Sequence, residues 1–517
     1  MKALLAAAML LCAAAAQAAD PAALFQQHCA ACHGPDRYGM IGPALLPESL
    51  ERLKKPEAAR TIREGRIATQ MAGFADRLSE ADIAALVDWI YTPVQPRPQW
   101  GEEQIRASRV VPHPAGSLPD KPCAKLAGVD LMNLFVVVES GDHHVTVLDG
   151  DKLEPIHRFA SRYALHGGPK FTADGRFVFF ASRDGWITKF DLWNLETVAE
   201  VRAGINTRNI AVSSDGKWVM AANYLPHSLV LLDADLNLVK VLPAATRDGK
   251  ETSRVSAVYD AAPRHSFVAA LKDIPEIWEI SYDPKAPPIF DGYVHDYKMA
   301  EAIATPGFQN PRRTLLPGVL DDFFFDASYA NVMGAARSGQ GQVVNLDVRR
   351  SIATLDLPGM PHLGSGITWD WQGRPVMATP NLKDGVVSVI DMRDWKTVRH
   401  IPTLGPGFFM RSHEATPYAW VDSMMSKGRD TLQVIDKRTL ERVAELRPEP
   451  GKTLAHIEFT RDGRYALASL WERKADGGAI IVFDAATLKE VKRIPMDKPV
   501  GKYNVSNKVN RSAGTSH

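Results

Sequence analysis

The sequence predicts a small all-α domain followed by a large all-β domain of eight radially arranged, four-stranded units. Three observations carry that reading. A Cys29-Ala30-Ala31-Cys32-His33 string sits near the start of the chain, among short segments of helical apolar spacing. From about residue 130, apolar strands ending in Asp recur at a nearly constant interval. Between the two lies a stretch holding Pro93, Pro96, Pro98, Pro112, Pro114, Pro119 and Pro122. A chain of 517 residues has room for at least two domains.

Residues 1–18 carry one basic residue, Lys2, then the apolar run Leu4–Leu11 and the small-residue end Ala16-Gln17-Ala18. That is the pattern of a secretory signal with an A-x-A cleavage site, and its apolar run is too short for a bilayer span. Leu11 rather than a small residue precedes Cys12, which argues against a lipid anchor. No second segment is long and apolar enough to span, so a membrane span is not expected. A formal charge of +1 argues against a nucleic-acid binder.

The C-x-x-C-H string is a means of holding haem covalently: two thiols add across the vinyl groups and the adjacent imidazole binds the iron. Cys29 and Cys32 are thereby assigned to a single covalent haem c and His33 to its iron, leaving Cys123 unpaired in the mature chain. Signal plus haem c implies assembly outside the cytoplasmic membrane, in a bacterial periplasm.

Residues 19–92 read as a class I cytochrome c. Ala22–His28 is a short amphipathic helix, and Gly42-Pro43 falls where the loop beside the proximal histidine belongs. Thr69-Gln70-Met71-Ala72-Gly73-Phe74 reads as the distal-ligand loop. Met71 is the expected ligand, since a thioether favours ferrous haem and a high potential; His28 and His113 are the alternatives. Ser79-x-x-Asp82 is a helix N-cap signal, followed by Ile83, Leu86, Val87 and Ile90 at helical spacing, with Pro93 as the stop. Residues 93–122 then form a stiff Pro-rich linker that could also pack on its neighbours.

Residues 123–517 carry the repeat. Val145–Asp149, Ile187–Asp191 and Leu229–Asp233 are alternating strands closed by Asp, and the pattern recurs at Asp283, Asp347, Asp391, Asp436 and Asp484. Most spacings lie between 42 and 50 residues, and a 64-residue gap before Asp347 marks an insertion around Pro284–Pro311. Four strands per unit of this length make a β-propeller, and eight units make eight blades. The scaffold alone names no function. Three classes remain open on the residues: a propeller enclosing a second redox cofactor, a quinoprotein dehydrogenase, and a protein-binding propeller tethered to a cytochrome.

The order of signal, cytochrome c, Pro-rich linker and eight-bladed propeller resembles the cytochrome cd1 nitrite reductase family. Phe190-Asp-Leu-Trp193, Gly204-Ile-Asn-Thr-Arg208, Ala222-Asn-Tyr-Leu-Pro226 and Gly501-Lys-Tyr-Asn-Val505 are the strings that carry it, over nearly the whole mature chain. The resemblance implies a funnel that holds haem d1, a macrocycle bearing carboxylates and an acrylate. It places His166, in Tyr163-Ala-Leu-His166, as the iron ligand of that macrocycle. It places Arg183 and Arg208 as carboxylate partners, Lys170 as a weaker one, and Tyr224 and Tyr503 in the same pocket. Nothing resembles the tryptophan-docking repeats or vicinal cysteines of the quinoproteins.

Two departures from the nitrite reductases are informative. Their first distal histidine falls within Thr314-Leu-Leu-Pro-Gly-Val, where this chain has none; their second matches His362. Ser365 stands where they carry another arginine, and His456 where they carry glutamine. That pattern is similar to the haem d1 maturation branch, the dihydro-haem d1 dehydrogenases, which desaturate a propionate to an acrylate in the last step of haem d1 biosynthesis. The resemblance then implies dihydro-haem d1 as substrate, haem d1 as product and the haem c as electron exit. It makes His456 the first candidate base and His362 the second. A cytochrome cd1 nitrite reductase and a non-catalytic haem d1 carrier are the alternatives. Expected partners are a nitrite reductase as recipient of haem d1 and a small periplasmic electron acceptor.

Overall fold

The structure, a computed structural model, describes residues 19–510 except 41, 52, 66–70, 97, 291–303, 337–338 and 472–476. The expected signal peptide, and Thr69-Gln70 of the expected distal loop, lie outside the described residues. The chain divides into two compact units, one of residues up to 66 with 71–97, the other from residue 98 onward.

The first unit is helical. Helix α1, Pro21–His28, starts on Asp20, whose carboxylate accepts the Ala22 N–H, with proline at the first helical position. Short helix α2, Ala30–His33, follows directly, capped by Cys29. Helix α3 is Pro47–Leu50, α4 is Lys55–Glu64 and α5 is Glu80–Ile90. Ser79 and Asp82 form a complete capping box on α5, and its buried face is Ile83, Leu86, Val87 and Ile90, as their spacing predicts. Arg37 donates to the carbonyls of Trp89 and Thr92, satisfying the end of α5.

The second unit contains eight four-stranded antiparallel sheets, the eight-bladed propeller. Each blade is a meander with its first strand innermost, and the chain end closes the ring. Strand Pro499–Asn504 pairs antiparallel with Leu134–Glu139 and becomes the inner strand of the first blade. Inner strands therefore begin at Lys170, Asn206, Val255, Asp322, Ile367, Met410, Thr453 and Pro499.

The recurring Asp explains itself in the turn after the third strand. Oδ1 of Asp149 accepts the N–H groups of Asp151 and Lys152, and Asp191, Asp436 and Asp484 do the same for their turns. The fourth residue on is then left-handed, at Leu153, Leu195, Leu440 and Leu488. The fifth blade differs from the sequence pattern. There Asn345 accepts from Asp347 and Val348, because an amide oxygen serves as well, and Asp347 pairs with Arg264 instead.

The insertion carries a two-stranded ribbon, Ile289–Phe290 with Ala304–Thr305, before strand Pro311–Leu315 completes the fourth blade. Residues 98–122 are packed on the propeller rather than suspended. Helix α6, Glu102–Ala107, buries Ile105 completely, Trp100 donates to the Arg202 carbonyl at 2.8 Å, and Val110 bridges to Glu200. Apolar Trp100, Ile105 and Leu118 between the prolines give that stretch a surface to bury. Among the described residues no helix is long and apolar enough to cross a membrane.

Candidate haem sites and active site

In the helical unit, His33 is buried and its Nδ1 lies 2.8 Å from the Pro43 carbonyl. The bond assigns the proton to Nδ1 and leaves Nε2 as the nitrogen free for iron. Gly42 is pressed against the same ring, where a Cβ would come within 2.8 Å of it. Burial, then the neighbouring Cys32, pushes the Cys29 thiol up to about 11, so in the reduced chain it is a neutral thiol. Met71 packs into the same apolar cluster as Cys29, Phe25 and Leu86. Its loop is pinned where Gly65 crosses it, since a Cβ on Gly65 would meet the Gly73 nitrogen at 2.6 Å. Of the alternatives, His28 sits 6.2 Å from the Phe74 ring, and His113 belongs to the propeller unit, its N–H donating to Val198. Two thiols around one helix start, an imidazole with a fixed tautomer and an apolar bed fit a covalent haem.

In the propeller, His166, Arg183, Arg208, Tyr224 and His362 lie where the chain enters the inner strands or where second strands turn into third strands, whereas His456 is midway along the inner strand of the eighth blade and Tyr503 near the end of that of the first. His166 precedes the inner strand of the second blade, and its Nδ1 lies 2.7 Å from the Arg208 carbonyl. The same logic frees Nε2. Gly167 and Gly168 follow with φ of 83° and 69°, a path open to glycine, and Gly168 lies under the Tyr503 ring.

Two inner strands use one device. A β-bulge leaves Arg208 outside the ladder between Thr207 and Asn209, and another leaves His456 between Ala455 and Ile457. Bulges re-aim side chains, and His456 is also left-handed, with φ of 51°.

From there an aromatic arc runs around the funnel. His362 lies 4.2 Å from Phe408, Phe408 lies 4.6 Å from Phe409, Phe409 lies 4.6 Å from His456, and His456 lies 5.0 Å from Tyr503. His362 Nδ1 sits 2.8 Å from the Phe408 carbonyl, so its Nε2 carries the lone pair. Burial lowers the His362 pKa to about 4. Burial, then Lys502 and Arg411, holds His456 well below the ordinary imidazole value. Both rings are neutral near pH 7. Tyr503, pushed up to about 12 by burial, stays a phenol.

Cations line the opposite rim. Tyr224 lies under the Arg208 guanidinium at 4.6 Å, with Arg254 at 5.4 Å and Lys272 at 5.9 Å. Arg183 is exposed in the adjoining turn of the second blade. Arg254 pairs with Asp273 at 2.6 Å and Lys272 with Asp321; Arg208 and Arg183 suit the carboxylates of an anionic ligand. Lys170, the weaker carboxylate partner that the resemblance implies, donates its ammonium to the carbonyls of Gly167 and Gly168, bracing the turn after His166. It also lines a cavity of about 550 Å³ at the far ends of the inner strands, with Tyr259, Phe323 and Trp369.

The connection into the fifth blade, where no histidine exists, buries Leu316 and Leu320. Ser365 is buried in a short turn, Leu363–Ser365. The sequence does not single out Phe408, Phe409, Arg254 or Lys272. The register would have pointed to the two phenylalanines, since they precede an inner strand just as His166 and His362 do.

The "Cytochrome D1 heme domain" family matches residues 129–508, and "Cytochrome C oxidase, cbb3-type, subunit III" matches residues 16–90. The chain belongs to the cytochrome D1 heme-domain family. It is 55% identical to "Dihydro-heme d1 dehydrogenase" of Pseudomonas aeruginosa over 98% of each chain. It is 27% identical to "Nitrite reductase" of Stutzerimonas stutzeri, over 94% of this chain and 92% of that one. A solved "Dihydro-heme d1 dehydrogenase NirN in complex with DHE" superposes with a TM-score of 0.86, at 55% identity, over 95% of this chain and all of that one. This member of the family thus couples a covalent haem c to a haem d1-type funnel.

Proposed function

We propose that the protein is a dihydro-haem d1 dehydrogenase that works in the periplasm, converting one propionate of dihydro-haem d1 to an acrylate. One observation carries the reading: two buried imidazoles, His362 and His456, join the same arc as Tyr503, whose ring covers Gly168, two residues after His166. The identity shared with the Pseudomonas aeruginosa dehydrogenase supports it.

Dihydro-haem d1 is the substrate. His166 binds its iron through Nε2, while Arg183 and Arg208 pair with its carboxylates. Desaturation turns CH2–CH2 into CH=CH and releases two electrons and two protons. Withdrawing electrons from the conjugated ring acidifies the adjacent C–H bonds, and each proton needs an acceptor. His362 offers a lone pair at Nε2, and His456, 1% exposed, is shielded from water that would compete for it. We take His456 as the first candidate acceptor and His362 as the second, each taking one proton; His456 Nδ1 accepts the Lys502 N–H at 3.4 Å, a contact it gives up on taking a proton there. Tyr503 and the two phenylalanines hold the macrocycle edge against them and keep solvent out. The covalent haem c, which Cys29, Cys32, His33 and Met71 would hold, would accept the two electrons one at a time, a small periplasmic carrier reoxidising it after each. Finished haem d1 passes to a nitrite reductase.

The test is anaerobic loading of the full-length c-haem protein with dihydro-haem d1, followed by absorbance. Conversion with simultaneous haem c reduction supports the reading. Binding without conversion, together with nitrite turnover on finished haem d1, overturns it in favour of a reductase. Binding with neither activity leaves a carrier.

A further inference from the structure

Asp422 ends the second strand of the seventh blade, Tyr418–Asp422, and is fully buried. Its carboxylate accepts the Phe408 N–H at 2.8 Å, the Phe409 N–H at 3.1 Å and the Met424 N–H at 3.3 Å. The backbone N–H of His456, on the next blade, also bonds to it. Its own backbone N–H donates to the Phe409 carbonyl at 3.2 Å. Gly407 is pressed against the Asp422 carbonyl, where a Cβ would come within 2.2 Å.

Those bonds meet both histidines. Phe408 carries the carbonyl that fixes the His362 tautomer and the ring beside it. Phe409 lies against His456, and the His456 N–H belongs to the bulged, left-handed residue itself. A left-handed conformation at a non-glycine residue costs about 1 kcal/mol or more and persists only where its surroundings fix it. A carboxylate accepting several N–H groups supplies such a fixture.

We propose that Asp422 is the positioning residue for both imidazoles, holding the Phe408-Phe409 segment against His362 and the bulge of His456 in place. It touches no part of the substrate and acts through these two backbones. The inference rests on the assignment of His362 and His456 to proton acceptance.

The test compares the full-length c-haem protein with Asp422→Asn, which keeps the shape but leaves one acceptor oxygen where the carboxylate had two. Three readouts are taken: affinity for dihydro-haem d1 by anaerobic titration, single-turnover conversion, and backbone hydrogen exchange without substrate. The expected result is affinity within threefold of the parent, because His166 and the arginines are untouched, with conversion at least tenfold slower. Exchange should rise in peptides covering 405–412 and 453–459 and stay unchanged elsewhere. Conversion within twofold of the parent overturns the proposal, as does an affinity loss equal to the rate loss, or exchange that is unchanged or raised throughout the propeller. If the parent binds substrate without converting it, the dehydrogenase reading fails by itself and local exchange alone decides the positioning role. Should Asp422→Asn yield no c-haem protein, Asp422→Glu takes its place with the same expected split; failure of both makes Asp422 a general folding residue and sinks the proposal.

Discussion

The Arg208 carbonyl lies 2.7 Å from Nδ1 of His166, so one residue of the third blade orients the candidate iron ligand with its backbone while its side chain faces Tyr224. Ligand and carboxylate partner are thereby locked to one another across two blades. Replacing the imidazole should therefore affect binding more than folding.

His166→Ala is expected to weaken dihydro-haem d1 binding by at least about tenfold, roughly 1.4 kcal/mol. The change is read by anaerobic titration of the macrocycle absorbance. The haem c spectrum should not move; a titration curve matching the parent would refute the ligand assignment.

Arg208→Ala removes a guanidinium but leaves the backbone carbonyl on His166. Loss of one charge-assisted contact should cost about 1.5–3 kcal/mol in affinity. The salt dependence of binding should also flatten relative to the parent. Equal affinities at low and high salt would count against carboxylate recognition by this residue.

His362 supplies a pH-dependent term with a definite sign. Its folded pKa is about 4, below the ordinary imidazole value of about 6.5. As pH falls from about 6.5 towards 4, the unfolded chain takes up a proton that the native ring refuses, so stability drops across that window and is complete above it. His362→Asn should lose that component, seen as a shallower decline in melting temperature between pH 6.5 and 4. An unchanged slope would mean that the ring is not held neutral.

Met71→Ala should lower the haem c potential, because the thioether is what favours the ferrous state. Redox titration of the full chain measures it. A potential equal to the parent's would return His28 to consideration.

Ile105→Ala tests whether residues 98–122 belong energetically to the propeller. Ile105 is fully buried among Val198, Val201 and Val230. Its truncation should cost about 2–5 kcal/mol and lower the propeller transition. A free tether would show no change.

Much of the architecture was legible in the chain because its signals are local. The strand-ending Asp shapes a turn within four residues, so its recurrence marks blades before any packing is known. Cys29, Cys32 and His33 are adjacent, and Ser79 with Asp82 marks the start of helix α5 on its own. Asp347 shows the limit: the residue that caps the fifth turn is Asn345, and only the strand ladder reveals the two-residue offset.

The sequence by itself determined the covalent haem, the eightfold propeller and which histidines to consider. Tertiary structure alone decided which atoms those histidines present. His166 meets a carbonyl 42 residues away, His362 one 46 residues away, and His456 rests against Phe409 from the connection into the seventh blade and Tyr503 from the inner strand of the first. Tautomer, neutrality and bulge are set by neighbours that ring closure brings together, and no local pattern encodes contacts between blades. Lys170 makes the same point: the chain offers it as a weaker carboxylate partner, and folding sets its ammonium on Gly167 and Gly168, whose left-handed turn exposes two carbonyls within its reach.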